Sequence, residues 1–109
     1  MASRIAAKVR AGRPVIANFD FNISLCCRRR GREVPYFFVS NDDLSPSFLQ
    51  NFAVSWWMDH LFREDGILLV IDEAQLLFNA REWSKQGRSD WLSFFTQHRK
   101  FGYEIVLIP

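Results

Sequence analysis

The chain has 109 residues, 49% of them apolar and 16% aromatic, with a formal net charge of +2. That length and composition fit one small domain with a real core and exclude a disordered segment. The charge is too small to choose a partner, and the longest unbroken apolar run, Ile67 to Ile71, is much too short to span a bilayer.

The first eleven residues, MASRIAAKVRA, favour helix, and Ile5, Ala6 and Val9 fall on one face. Gly12 suits a C-terminal cap and Pro14 cannot continue the helix. This helix is already under way at Met1, with no capping residue or lead-in strand, so the expectation is that the true start lies upstream. Basic residues crowd the first third, Arg4, Lys8, Arg10, Arg13, Arg28, Arg29, Arg30 and Arg32, with Asp20 the one acid before Glu33. They read as a solvated basic face or as a contact for nucleic acid, a phospholipid surface or nucleotide phosphates. The adjacent Cys26 and Cys27 have neither disulfide nor zinc spacing and suit a reducing cytosol.

PVIANF, Pro14 to Phe19, reads as a short buried strand, Asp20 to Arg32 as irregular chain, and YFFV, Tyr36 to Val39, as a second strand. Asn41 to Asp43 make a turn. Ser45-Pro46 is an N-cap with proline at the first helical position. The helix it opens should run to about Arg63, with Phe48, Phe52 and Trp56 in one stripe. That stripe suits core packing, with a base-stacking surface as the alternative.

Asp65-Gly66 turns the chain into ILLVID, apolar on both faces, the pattern of a strand covered by helices on both sides. Ala74 to Phe78 is a short apolar follow-on, and Asn79 to Ser89 reads as a polar, mobile loop. Asp90 to Lys100 should be a helix with Trp91, Leu92, Phe94 and Phe95 on its apolar face. Gly102 stops it, and EIVLIP is the last strand. Strands and helices alternating in this way predict an α/β fold with a three-layered parallel sheet. In such sheets ligands sit beyond the C-terminal ends of the strands, where Asp72 and Glu73 fall.

Those two carboxylates carry the chemistry. Hydrolysis of a nucleoside triphosphate needs phosphate charge neutralised and a water aimed at the terminal phosphorus. An Asp at a strand tip can hold hydrated magnesium, and a neighbouring Glu can orient or deprotonate the water. Alone the pattern is unspecific, because acids also gather near helix N-termini.

Three blocks in order make it specific. GRPVIANF, LLVIDEAQLLF and FFTQHRKFGYEIVLI resemble successive segments of the Zot-like family, the zonula occludens toxin and filamentous-phage assembly ATPases. The likeness covers most of the chain and is weakest from Phe21 to Arg63. It implies a P-loop NTPase fold of the FtsK/HerA type, with LLVIDEAQLLF as the Walker B segment. Glu73 would be catalytic, Asp72 would hold Mg2+ through water, and Gln75 and Arg99 would help bind nucleotide. His98 and Arg99 would sense the phosphate end or reach a neighbouring subunit, against a plainer role at a helix C-terminus. His60 has no second ligand at metal spacing.

The family's phosphate loop and its strand lie just before the first helix and are not in this sequence. Residues 1–109 are therefore expected to be a partial P-loop ATPase domain, incomplete and missing the phosphate-loop strand. The likeness implies ATP and Mg2+ as cofactors of the full-length parent, with neither expected on this chain. For the parent it implies a homo-oligomer, phage assembly proteins as partners at the cytoplasmic face of the host inner membrane, and extrusion of virions. Toxin activity in the family belongs to a separate C-terminal region. A DNA-pumping or conjugation ATPase, with nucleic acid as partner, is the alternative within the superfamily; a non-catalytic interaction module is the alternative outside it. Two structural expectations follow. The strand Glu104 to Ile108 should have an open edge, and the first helix should lack cover over its apolar face.

Overall fold

The computed structural model describes residues 2–19, 35–76 and 85–109. Helix α1 spans Ala2–Arg10, β1 Val15–Ala17, β2 Tyr36–Phe38, α2 Pro46–Asp59, β3 Ile67–Asp72, α3 Lys85–Gln97 and β4 Tyr103–Ile108. A 3-10 turn, His98–Phe101, links α3 to β4. The four strands form one sheet in the order β2-β1-β3-β4, and every pairing is parallel.

The run ILLVI is continuous because β3 is covered on both faces. Ile67, Leu69 and Ile71 enter a core shared with Leu49 and Ala53 of α2 and Trp91 and Phe94 of α3. Leu68 and Val70 face the other way, into a core with Ile5, Ala6 and Val9 of α1. The architecture is thus helix, sheet, helix, as the two-sided apolar pattern predicts. Each fully buried aliphatic side chain contributes about 1.5–3 kcal/mol by leaving water.

Helix α1 ends as its sequence dictates. Gly12 adopts φ 77°, its N–H donates to Val9 O at 3.0 Å, and the Arg13 N–H reaches back to Lys8 O at 3.0 Å. This pair of bonds closes a left-handed C-cap. The expectation that α1 lacks cover is corrected here. Ile5 and Val9 are fully buried, because the helix lies over β1 and β3 and gathers Val106 and Ile108 of β4. Arg4 and Lys8 also pair with Glu104 of β4.

Helix α2 starts where expected, with Ser45 Oγ accepting the Phe48 N–H at 3.1 Å. It ends at Asp59, short of Arg63, with His60 in extended backbone. The cause is tertiary. The Trp57 indole N–H donates to Phe101 O at 2.8 Å, and the chain must reverse here to enter β3, turning through a Gly66 N–H bond to Arg63 O. Phe48, Phe52 and Trp56 pack half-buried against the core, the packing role expected of the stripe.

Helix α3 begins five residues before Asp90, so Lys85–Ser89 is helical rather than loop. Residues 77–84, including Leu77 and Phe78 at the end of the apolar follow-on and the start of the polar segment, lie outside the described residues. Trp91 and Phe94 are buried, but Leu92 is 59% exposed; one helical residue on from Trp91 it has turned about 100° off the core-facing stripe. Strand β4 pairs with β3 from Tyr103↔Ile67 to Asp72↔Ile108. It is the last strand in the order, and among the described residues nothing pairs with its other edge.

Candidate functional site

The C-terminal ends of β1 and β3 are joined by a side chain. Backbone pairing between them reaches Ala17↔Val70. Beyond it the Asn18 amide takes over. Its Oδ1 accepts the Asp72 N–H at 2.7 Å, and its Nδ2 donates to Asp72 O at 3.0 Å. One carboxamide thus satisfies both backbone groups of Asp72, in the manner of a missing strand residue. Nδ2 also donates to Asn41 Oδ1 at 2.8 Å, which ties in the turn after β2.

Asp72 closes β3 and is half-buried, while Glu73 is exposed. Glu73 has φ 51°, in the left-handed region. A non-glycine residue there carries roughly 1–2 kcal/mol of backbone strain, and such residues cluster where structure serves function. Two bonds hold the conformation. The Glu73 N–H donates to Asp72 Oδ1 at 3.0 Å, and Glu73 O accepts the Leu76 N–H at 2.9 Å, opening a short helical turn over residues 74–76. The left-handed step turns the two adjacent carboxylates out of the simple up-down alternation of a strand. Asp72 Oδ2 has no hydrogen-bond partner among the described residues. One carboxylate oxygen available at a strand tip fits a hydrated magnesium ion, which keeps several waters and needs few protein ligands. Among the described residues no three His, Cys, Asp or Glu side chains gather as a denser metal cage.

The family model described as Zonular occludens toxin (Zot) matches residues 1–109, the full length of the sequence. The chain belongs to the Zot family. No curated protein and no solved structure matches it significantly.

In this Zot-family chain the remaining candidates fall in different places. Gln75 is exposed on the short turn two residues past Glu73, at the same end of the sheet. Arg99 is exposed too, but its 3-10 turn leads directly into β4, whose first residue pairs with the first residue of β3. Arg99 therefore sits at the N-terminal end of the strands, and Asp72 at the C-terminal end. Five steps of strand at about 3.3 Å each put roughly 17 Å between the two ends. The fold brings Asp72, Glu73 and Gln75 together and leaves Arg99 of the same chain apart from them. His98 is half-buried, with Nδ1 2.6 Å from Phe95 O. His60 stacks on Trp56 with ring centroids 3.8 Å apart, its Nδ1 2.9 Å from Trp56 O. Cys26, Cys27 and Arg28 to Arg30 lie outside the described residues. No described helix is long and apolar enough to cross a membrane.

Asn18 is the residue that sequence reasoning missed. It was visible only as the amide ending an apolar run. Its partner is 54 positions away, so no local spacing could announce the pairing.

Proposed function

We propose that this chain is part of the nucleotide-hydrolysing domain of a Zot-family phage assembly protein, with a P-loop fold of the FtsK/HerA type. One observation carries the reading: the Asp72-Glu73 pair stands at the C-terminal tip of an interior strand in an all-parallel, three-layered sheet, with its backbone clamped by Asn18. That is where α/β folds place ligand chemistry. In this reading a phosphate-loop strand would pair with the edge of β4 that is unpaired among the described residues.

In this reading Asp72 holds Mg2+ through water, and the ion supplies charge neutralisation on the phosphates when bound. Glu73 orients the attacking water and takes its proton. Asn18 fixes the Asp72 backbone, so the carboxylate does not have to be reorganised during reaction. Gln75 contributes a polar contact at the rim. Arg99 serves a neighbouring subunit of a homo-oligomer, because it lies apart from Asp72 of its own chain. Hydrolysis would drive virion extrusion at the cytoplasmic face of the host inner membrane, with other phage assembly proteins as partners.

The sequence has no glycine-rich loop with a following Lys and Ser or Thr. Such a loop provides most of the grip on β- and γ-phosphates. Calorimetric titration of this chain with Mg-ATP is therefore expected to show no micromolar binding that depends on magnesium or on Asp72. In a protein extended upstream to include the loop, Glu73→Gln should abolish turnover while ATP still binds. Hydrolysis at near parental rate in that variant would overturn the assignment.

A further inference from the structure

The opposite end of the sheet holds a cavity of about 270 Å3 whose walls include Arg13, Pro14, Trp56, His60, Arg63 and Gly66. Its construction follows from two chain reversals and the end of α2. The left-handed turn at Gly12 carries Arg13 to the mouth of β1. The turn closed by Gly66 and Arg63 carries the second arginine to the mouth of β3. The last turn of α2 supplies Trp56 and its C-cap supplies His60, the two rings stacked 4° from parallel.

The lining holds two arginines and no carboxylate. Among the described residues neither guanidinium has a hydrogen-bond or ion-pair partner, whereas Arg4 and Lys8 of α1 are both matched by Glu104. The potential nearby is positive enough to be felt by a neighbour. The Lys8 ammonium is pulled below its ordinary pKa by burial and then by the Arg13 charge, with Asp65 opposing. Helices α1 and α2 both direct their C-terminal carbonyls to this end, which favours the cations that stand there. An anion arriving at the cavity must therefore meet guanidinium groups rather than backbone.

We propose that this cavity binds a nucleotide unit, with its phosphate on Arg13 and Arg63 and its base against the Trp56–His60 stack. The forked donors of arginine match phosphate oxygens in pairs. A flat aromatic surface accepts any base by stacking. The volume lies at the small end of ligand sites, on the order of 300 Å3, which suits one nucleotide rather than a dinucleotide cofactor. The unit could belong to a free mononucleotide or to single-stranded nucleic acid; the chemistry is shared. This site is separate from Asp72 and needs no magnesium.

The test uses the full chain in EDTA, which removes magnesium-dependent binding at Asp72. AMP is titrated by NMR and a fluorescein-labelled oligothymidylate by anisotropy, at about 50 and about 200 mM salt. AMP should shift the His60 ring protons. The double variant Arg13→Ala/Arg63→Ala should weaken binding by about tenfold or more, and should flatten the oligonucleotide salt slope by about 0.7, the value for one phosphate contact on a single strand. Circular dichroism checks its fold, and Arg13→Lys/Arg63→Lys, which keeps the charge and loses the fork, should bind measurably less well than the parent. Binding of oligonucleotide but not AMP identifies a single strand as the source; binding of AMP with no gain from the chain identifies a free nucleotide. Absence of binding by both probes overturns the proposal. So does binding that both arginine pairs leave untouched, or binding lost in Asp72→Asn and kept in Arg13→Ala/Arg63→Ala.

Discussion

The two ends of β3 are built on different principles. At the Asp72 end, polar groups restrain one another: Asn18 holds both backbone groups of Asp72, Asn41 holds Asn18, and the Asp72 carboxylate holds the Glu73 N–H. At the Gly66 end, packing does the restraining. The Trp57 indole lies against Gly66 and Gly102, and the charged groups around the cavity are left without partners among the described residues. A hydrogen-bonded end can hold a reacting group in one place. An end with unmatched cations can attract a ligand but does not orient chemistry.

The strongest way to break this contrast is Gly102→Ala. A Cβ there would lie 2.8 Å from the Trp57 ring and 2.9 Å from Arg63 O, at a backbone φ of 77°. Overpacking and left-handed strain together should cost about 2–4 kcal/mol, read as a lower denaturation midpoint. A loss under about 1 kcal/mol would mean that the packed end is looser than described.

At the other end, Asn18→Ala removes both bonds to Asp72 and leaves its backbone groups to water. The expected loss is about 2–3 kcal/mol, roughly one per bond plus incomplete resolvation. Amide exchange at Asp72 should accelerate with it. If exchange there is unchanged, the clamp is not what fixes the strand tip.

Tyr103→Phe sharpens the contrast through pH. The buried Tyr103 hydroxyl donates to Leu49 O, and burial pushes its pKa far above the ordinary value of 10. The variant should lose about 1–2 kcal/mol at neutral pH. Below pH 10 the phenol is protonated in both folded and unfolded chains and adds no slope. Above it the unfolded chain releases the proton first, so parental stability should fall by up to about 1.4 kcal/mol per pH unit from this group. The gap between parent and variant should therefore shrink in alkaline urea titrations; a constant gap would contradict the burial.

The smallest effect has the opposite sign. Glu73→Gly relieves the left-handed strain and should stabilise the fold by about 0.5–1 kcal/mol, while removing the proposed base. Destabilisation would show that the Glu73 side chain contributes packing or polar contacts worth more than the strain.

Much of this was legible in the residues. The alternation lost in ILLVI announced two-sided burial, and Gly12, Ser45 and Gly102 marked ends that formed as written. The true end of α2 was not legible, since apolar residues continue past it to Leu61 and Phe62. Nor was the start of α3, since the polar run before Asp90 carries no helical apolar face.

The sequence by itself determined the parallel α/β class and the carboxylate pair at a strand tip, because each rests on residues close together in the chain, and it determined the family through blocks that recur in order along residues 1–109. Tertiary structure alone decided that Asn18 clamps Asp72, that Arg99 stands at the far end, and that Arg13 and Arg63 share a cavity. Those relations join segments tens of residues apart. They are set by strand order and parallel register, which no local pattern of hydrophobicity encodes.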